Sequence, residues 1–191
     1  MGKGKWILKG ELIMQDFWEL IKIKPSRKSP VEGDVFVIQP KKNTYFFGKV
    51  IKANVKSKNV FVNSMWLIYI YNNHVNSEVI PKEYDLTSSE LLISPEIINK
   101  KGWTLGYFYT IGNTPVTTEE KLIDYGFEEF SLKRLSNDNE QPKKYVDIVG
   151  NELSCEPMYH SFWGLSSYAV VGELVQKKLS TQGDGSHESS F

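Results

Sequence analysis

One thiol and one nearby imidazole are the side chains in this sequence best suited to nucleophilic chemistry. Cys155 is the single cysteine, His160 follows it by five positions, and Asp147 lies upstream. A cysteine, a histidine and an acid are the components of a catalytic triad. However, the catalytic cysteine and histidine of such enzymes usually come from distant segments, because the fold must orient each of them separately. We therefore interpret Cys155 as a buried or idle thiol beside a structural His160, and we expect no catalytic residues.

The sequence contains no pattern for a metal or a phosphate group. His74, His160 and His187 are scattered, and with one cysteine they do not form a zinc-binding spacing. There is no glycine-rich phosphate loop and no His-Glu-x-x-His, and the stretch WGLSSY lacks the final glycine of Gly-x-Ser-x-Gly. We expect neither a metal site nor a cofactor.

Two pairs of adjacent carboxylates could in principle perform acid-base chemistry. They are Glu119-Glu120 and Glu128-Glu129. Neighbouring side chains on a helix or a strand do not converge on one point, so a shared catalytic centre is not predicted. We expect these acids on the surface, where they are either solvated or available to a partner.

The length and composition are typical of a globular protein rich in β structure. A chain of 191 residues fits one domain and buries well over half of its unfolded surface. Aromatic residues, which favour strands, make up 13% of the chain. No apolar run has the length of a signal peptide or a transmembrane helix, and the single cysteine forms no internal disulfide. We therefore expect a cytoplasmic protein without membrane contact.

The net charge of zero conceals an uneven distribution. Residues 1–60 carry 13 basic and 5 acidic side chains, whereas residues 61–140 carry 6 basic and 12 acidic ones. This asymmetry indicates either a solvated surface or a charged partner. Nucleic acid is not the partner that we expect, because the pI is 6.8 and Arg27 is the only arginine in the basic part.

The stretch GDVFVIQPKKNTYFFGKVI, residues 33–51, predicts a β-hairpin. Val35 and Val37 alternate with Phe36 and Ile38, so both faces of the first strand are apolar and the strand is expected to be central. Gly48 in the second strand predicts a bulge or the close approach of another side chain, since a glycine otherwise weakens a strand.

Three further runs predict strands. Residues 60–71 are apolar or aromatic on both faces, residues 102–113 alternate from Trp103 onward, and residues 145–151 form a short apolar run. The predicted fold class is α+β, mostly β, with a strongly bent antiparallel sheet or partial barrel and a C-terminal helix. The sheet is expected to contain the runs near residues 34, 46, 66, 104 and 146.

The C-terminal helix has the clearest helical pattern. Residues 167–179 place four apolar side chains on one stripe, with Ser166 or Ser167 available as the N-cap; these side chains are Val170, Val171, Leu174 and Val175. Residues 10–22 predict a short amphipathic helix, and the alternative, a strand over residues 18–24, has the poorer alternation. Within residues 87–102, Thr87 or Ser88 could cap one helical turn that Pro95 would end. Within residues 114–130, Thr117 or Thr118 could cap a short segment. We expect one domain over residues 1–179 and a disordered tail over residues 180–191.

Two stretches share a pattern of glycine, aromatic and basic residues. In KIKPSRKSPVEGDVFVIQPKKNTYFFGKVI, a basic stretch precedes Gly-Asp-Val-Phe, a turn, and an aromatic-Gly-basic-Val strand. The second stretch is LLISPEIINKKGWTLGYFYTIGNTPV. Over residues 22–150 the chain resembles immunity protein family 26 of bacterial polymorphic toxin systems. The matched positions are interpreted as fold determinants: Gly33, Asp34, Phe36, Gly48 and Trp103.

The resemblance implies a non-enzymatic protein that binds a cognate toxin in the producing cell and blocks it. Many toxins of such systems are nucleases with basic surfaces, which an acidic face of the inhibitor would oppose. We expect this face where carboxylates surround aromatic side chains, and the candidate partner-binding residues are Glu119, Glu120, Asp124, Tyr125, Phe127, Glu128 and Glu129. In the alternative interpretation, these aromatics pack onto the sheet. The rival function is a barrel-type module that binds nucleic acid or a peptide.

Overall fold

Five antiparallel strands form the main sheet of the computed structural model, which describes residues 20–86, 90–130 and 143–183. The strands are β1 (Asp34–Lys41), β2 (Thr44–Lys52), β3 (Trp66–Asn76), β4 (Glu96–Ile98) and β5 (Phe108–Asn113). Their order across the sheet is β4-β3-β2-β1-β5. The sheet does not close into a barrel. The α+β, mostly β fold class is confirmed.

The strands β1 and β2 form the predicted hairpin, in the interior of the sheet. Asn43 in the connecting turn has a φ of 62°, a backbone conformation that asparagine tolerates better than most residues. Gly48 pairs with Phe36, and a Cβ at Gly48 would lie 2.5 Å from Cζ of that ring. The close approach predicted at Gly48 is thus confirmed, and a register irregularity also occurs there against β3.

Both faces of the main sheet are buried, as the apolar strands predict. On one face, Phe36 and Ile38 pack in a core that also contains side chains from two helices. On the other face, Tyr69 and Tyr71 pack in a core shared with a second, smaller sheet. Hydrophobic burial on both faces therefore fixes the position of the elements that follow β5.

The second sheet contains β6 (Tyr125–Glu128), β7 (Tyr145–Val146) and β8 (Tyr159–Phe162), in the order β7-β6-β8. The strands β6 and β7 are antiparallel, whereas β6 and β8 are parallel. The prediction that the run near residue 146 joins the main sheet is therefore wrong. This run is a strand, but it pairs with β6.

Three helices are described: α1 (Lys101–Leu105), α2 (Thr118–Lys121) and α3 (Tyr168–Gly183). The prediction of one strand over residues 102–113 is half wrong, because α1 occupies the first part and β5 the second. Gly106 ends α1 with a φ of 89°, a left-handed conformation that a glycine adopts without strain. The turn lets Trp103 pack against Phe108, with ring centroids 5.1 Å apart.

The helix α3 confirms the C-terminal prediction with one exception on its apolar stripe. Val171 and Val175 are fully buried, but Val170 is 40% exposed. Ser167 acts as the N-cap, since its Oγ accepts a hydrogen bond from the amide of Val170 at 3.3 Å. The helix continues to Gly183, past residue 179, and the rest of the expected tail lies outside the described residues.

Two other helical predictions are not supported where the structure describes them. Residues 1–19 lie outside the described residues, and residues 20–23 are extended, with the amide of Ile21 donating to Gln39 and that of Ile23 to Gly106. In residues 87–102, the first three lie outside the described residues. Residues 90–94 contain no helical turn. Leu92 in this segment is buried in the same core as Phe36 and Ile38.

Candidate functional site

A short helix at the edge of the second core positions the first candidate group. The side chain of Thr117 accepts a hydrogen bond from the amide of Glu120 at 3.2 Å, and the carboxylate of Glu120 accepts one from the amide of Thr117 at 2.7 Å. This reciprocal pair is a capping box, which satisfies two amides at the start of a helix. Of the two predicted caps of this segment, Thr117 is the one that is used.

Glu120 reaches from α2 into the protein and pairs with Lys49 of β2. The Lys49 Nζ lies 2.7 Å from Oε2 and 3.0 Å from Oε1 of Glu120, and it also donates to the carbonyl of Pro115 at 2.9 Å. Lys49 is 2% exposed and Glu120 is 9% exposed. A buried ammonium is tolerated only when it is paired in this way, so the pair connects α2 to the main sheet.

The phenol of Tyr71 completes this buried network. Its hydroxyl donates to Oε1 of Glu120 at 2.6 Å. Burial acts to raise the pKa of Glu120, but the hydrogen bonds from Lys49, Tyr71 and Thr117 outweigh burial and hold the pKa below its ordinary value. Burial, followed by the hydrogen bond to Glu120, raises the pKa of Tyr71. The network therefore holds an ionised carboxylate and a neutral phenol.

A pocket of about 700 Å³ opens above this network, and we call it the α2 pocket. Its walls combine aromatic and aliphatic side chains with three carboxylates and one ammonium. The lining residues are Lys49, Tyr71, Tyr84, Asp85, Leu86, Thr114, Pro115, Val116, Thr117, Glu119, Glu120 and Ile123. A concave, mostly apolar site with a few polar groups is the usual form of a binding pocket.

A second candidate surface lies on the small sheet. In the register of β6 and β8, Glu128 pairs with Phe162. Phe127 is completely buried, and successive side chains of a strand alternate between faces, so Glu128 and Phe162 project outward. Phe162 is 56% exposed, and its ring centroid is 6.0 Å from that of the 55% exposed Phe130.

Further acidic and apolar side chains lie at the ends of β6 and β8. Asp124 accepts a hydrogen bond from the amide of Met158 at 2.9 Å, and the side chain of Met158 is 76% exposed. Glu129 is exposed, and Glu128 forms an ion pair with Lys143 at 3.3 Å. We call this surface the outer face; it comprises Asp124, Glu128, Glu129, Phe130, Met158 and Phe162. Its aromatic and acidic residues could serve as an interface.

The structure divides the predicted partner-binding residues between the interior and the surface. Glu120 and Phe127 are buried, and Phe127 packs in the second core. Tyr125 is partly buried, and its ring contacts those of Tyr69 and Phe127 in the second core. Burial raises the pKa of Tyr125. The exposed residues of the set are Glu119, at the α2 pocket, and Asp124 and Glu129, on the outer face.

Sequence reasoning missed Lys49, which lies in the centre of the network. The signal was present, because Lys49 is the only charged residue between Tyr45 and Ile51 in a strand with apolar residues on both sides. A lysine in such a strand requires a buried acid. The Thr-x-x-Glu spacing of Thr117 and Glu120 is the sequence signature of a capping box, and it identifies Glu120 as the acid whose carboxylate returns to the start of the helix.

The residues of the Cys-His-Asp combination have other roles. Asp147 accepts hydrogen bonds from three amides of its own loop, at Val149, Gly150 and Asn151, with distances of 2.8 to 2.9 Å. These hydrogen bonds overcome the effect of burial and lower the pKa of Asp147. The Nε2 of His160 lies 2.9 Å from a carboxylate oxygen of Glu156, and Cys155 is exposed.

The described residues contain neither a cluster of metal ligands nor a helix that could span a membrane. Across residues 20–86, 90–130 and 143–183, no three side chains of His, Cys, Asp or Glu are grouped so that they could hold a metal ion. Within the same part of the chain, every helix is too short or too polar to cross a membrane.

Comparison with known protein families identifies a match over the central part of the chain. Residues 31–138 match the family model of immunity protein 26. The matched segment includes β1 through β6 and all the residues that line the α2 pocket, whereas β7, β8 and α3 lie beyond it. No curated protein and no solved structure matches the chain. The family match covers more than half of the sequence, and the protein belongs to the immunity protein 26 family, whose partner is a toxin.

Proposed function

We propose that this protein protects a bacterial cell by binding a cognate toxin of a polymorphic toxin system in the cytoplasm. Binding is stoichiometric and non-covalent, and the toxin domain is a nuclease. Membership of the immunity protein 26 family is the observation that carries this proposal. The protein acts as an inhibitor and performs no reaction of its own.

The outer face supports a basic partner. Asp124, Glu128 and Glu129 carry three negative charges, and Lys143 offsets one of them. A nuclease needs a positive surface to hold the phosphates of its substrate. An acidic inhibitor accelerates encounter with such a surface, and the effect decreases as salt screens the charges.

Exposed apolar side chains on the same face supply the short-range part of the interface. Phe130, Met158 and Phe162 each expose more than half of their surface. Large exposed apolar side chains are the usual anchors of protein interfaces, and charged residues around them mainly control the rate of association. We therefore assign slow dissociation to the exposed apolar side chains and fast association to the acids.

Charge reversal on the outer face tests the proposal. The toxin domain encoded beside this protein is immobilised, and association is measured by surface plasmon resonance at several salt concentrations. The double variant Glu128→Lys/Glu129→Lys is compared with the matched control Glu32→Lys/Glu173→Lys, whose residues are exposed outside this face. We expect at least a tenfold slower association for the first variant at low salt, and little change for the control.

Two results would contradict the proposal at different levels. Equal association rates for the two double variants would remove the outer face as the interface. Failure of the wild-type protein to bind the neighbouring toxin, or to inhibit its nuclease activity at a 1:1 ratio, would reject the function itself. Circular dichroism of each variant is the control for folding.

A further inference from the structure

We propose that the protein forms a dimer in which the edge strand β5 of one copy pairs with β5 of a second copy. This inference goes beyond the proposed function and does not depend on it. In the sheet order β4-β3-β2-β1-β5, the strand β5 is terminal and pairs with β1 alone. Its other side therefore presents backbone amides and carbonyls that no strand of this sheet uses.

The outward side of β5 is open to a partner. Within the part of the chain that the structure describes, no hydrogen bond reaches the main chain of residues 108–113 from the side away from β1. The segment before β1 approaches as far as Gly106, whose carbonyl accepts from the amides of Ile23 and Lys24 at 2.7 and 3.2 Å. An extended row of amides and carbonyls is satisfied by another extended main chain, so the chemistry of this edge selects a strand.

The opposite edge of the same sheet is covered by the chain itself. Ile98 of β4 forms a bridge with Ser166, whose amide donates to the carbonyl of Ile97 at 2.8 Å. In the small sheet, Val146 of β7 forms a bridge with Glu152. The fold thus closes these two edges, whereas β5 is left available.

The residues of β5 favour pairing. The strand reads FYTIGN, with aromatic and β-branched residues that strands prefer and with no proline and no charged side chain. Proteins usually protect an exposed edge with lysine, proline or a bulge. A register irregularity against β1 occurs between the pairs of Thr110 and Gly112. It divides the edge into two short stretches, so we expect a reversible dimer of modest affinity.

A second copy fits this edge by symmetry. A two-fold axis places two copies of β5 antiparallel, so that each contact occurs twice. With full overlap, Phe108 lies opposite Asn113 and Tyr109 lies opposite Gly112. No like charges meet along the strands, because β5 has none. An aromatic side chain beside an edge glycine also stabilises strand pairing.

Charges at the two ends of β5 are complementary. Near the start, the Nζ of Lys24 lies 5.9 Å from the ring centroid of Tyr109. Near the end, the carbonyl of Glu32 accepts a hydrogen bond from the side-chain amide of Asn113 at 3.1 Å. Lys24 and Glu32 are exposed, and neither forms an ion pair with a described residue. Antiparallel pairing brings the start of one strand to the end of the other, so Lys24 of each copy approaches Glu32 of the other copy. This complementarity favours a second copy over a strand of unrelated sequence.

The dimer leaves the outer face free. The small sheet packs on residues of β2, β3 and β4, which include Ile51, Tyr69 and Ile97, whereas β5 lies at the other end of the main sheet. Self-association and toxin binding therefore use different surfaces. Failure of one proposal leaves the other standing.

Sedimentation equilibrium of the full-length protein tests the dimer. We expect monomer and dimer in equilibrium with a micromolar Kd. Lys24→Glu alone and Glu32→Lys alone should each raise Kd about tenfold, because each homodimer then contains two like-charge contacts. An equimolar mixture of these two variants should restore the wild-type affinity, since both contacts of the heterodimer are again opposite in charge. The matched controls Lys56→Glu and Glu90→Lys, at exposed sites away from β5, should leave Kd within about twofold of wild type.

Hydrogen exchange of the wild-type protein locates the interface on the backbone. Exchange of the β5 amides that face away from β1 should slow as the protein concentration rises, while exchange in β4 should not change. This measurement needs no variant, so it decides the question even if a substituted chain does not fold.

Three results would overturn the proposal: a monomer at every concentration, a Kd that neither Lys24→Glu nor Glu32→Lys changes, or exchange of the β5 amides that is independent of concentration. Protection of the β5 amides by the toxin alone would also overturn it, because the edge would then bind a strand of the toxin. Circular dichroism and the thermal midpoint of each variant are the controls for folding.

Discussion

Substitution of Glu120 by glutamine should destabilise the fold through the charge left on Lys49. The glutamine has nearly the same size, so packing is retained, but the ammonium of Lys49 then remains 2% exposed with a neutral partner. Removal of one member of a buried ion pair costs about 3–5 kcal/mol. The side chain of Glu120 is 11% exposed where it lines the α2 pocket, and water there can relieve part of this penalty. We therefore expect a loss of about 3 kcal/mol in the free energy of unfolding.

Substitution of the other member of the pair, Lys49→Met, should lower the free energy of unfolding by a smaller amount. Glu120 then keeps the hydrogen bonds from Tyr71 and from the Thr117 amide, and a loss of about 2 kcal/mol is expected. The double variant Lys49→Met/Glu120→Gln contains no unpaired buried charge. Its loss should be smaller than the sum of the single losses by about 2 kcal/mol.

Urea unfolding followed by tryptophan fluorescence measures these energies, since the chain contains five tryptophans. Equal m-values would show that the variants unfold from comparable structures. Strictly additive losses, or a loss below about 1 kcal/mol for Glu120→Gln, would refute the reasoning that the pair is a coupled, buried unit.

The same network makes a pH prediction with a definite sign. The folded-state pKa of Glu120 is lowered, so its ionised form stabilises the protein above the ordinary carboxyl pKa, and this contribution is lost as the pH falls through the folded-state pKa. The wild-type protein should therefore lose more stability than Glu120→Gln below about pH 5. Parallel stability curves for the two proteins would contradict this assignment.

Three further predictions concern residues outside this network. Gly48→Ala should cost about 1–3 kcal/mol in urea unfolding, because the new Cβ would meet the ring of Phe36 at 2.5 Å and Ile70 at 2.9 Å; wild-type stability would refute the close approach. Burial raises the pKa of Glu96 to about 7, so the protonated form stabilises the fold at low pH. The wild-type protein should therefore lose roughly 3 kcal/mol of unfolding free energy as the pH rises from about 4.5 to about 7. Glu96→Gln should remove most of this pH dependence. Asp147→Ala should lower the free energy of unfolding by about 1–2 kcal/mol, because three loop amides lose their acceptor. Hydrogen exchange of these amides should become faster, and unchanged exchange would show that the loop forms without Asp147.

The parts of the fold that depend on local pattern could be predicted from the sequence. The hairpin of β1 and β2 has apolar residues on both faces and a polar turn, and α3 has a clear apolar stripe, so each was identified by its own residues. The strand near residue 146 was identified too. Its partner, β6, was not identified, because the periodicity of a strand carries no information on which strand lies beside it. The parallel pairing of β6 with the distant β8 could not be predicted for the same reason.

The mistake at residues 102–113 has a specific cause. Alternation through Trp103, Leu105 and Tyr107 is typical of a strand, but a single residue with a left-handed backbone changes the chain direction at Gly106. The pair Leu105-Gly106 is also the usual ending of a helix, so the sequence supported both interpretations. Tertiary packing of Trp103 against Phe36 and Phe108 favours the helix.

The acidic segment was identified from the sequence, whereas the orientation of each acid was not. Glu119 and Glu120 are identical in type and adjacent, yet one is exposed and the other is buried in an ion pair. Their difference depends on Lys49, which lies 71 positions away from Glu120 in the sequence. A charge count along the chain cannot contain that information, since it is the fold that brings the two residues together.

The buried acid also determines how rigidly the exposed acid beside it is held. Glu120 is held by four hydrogen bonds, from Lys49 twice, Tyr71 and Thr117, and these fix the turn of helix that carries Glu119. A turn held at four points opens rarely, whereas a turn without the buried carboxylate opens more often. Glu120→Gln should consequently speed hydrogen exchange of the α2 amides even at temperatures where the variant is fully folded. Unchanged exchange of these amides in the folded Glu120→Gln protein would show that the turn forms without the buried pair.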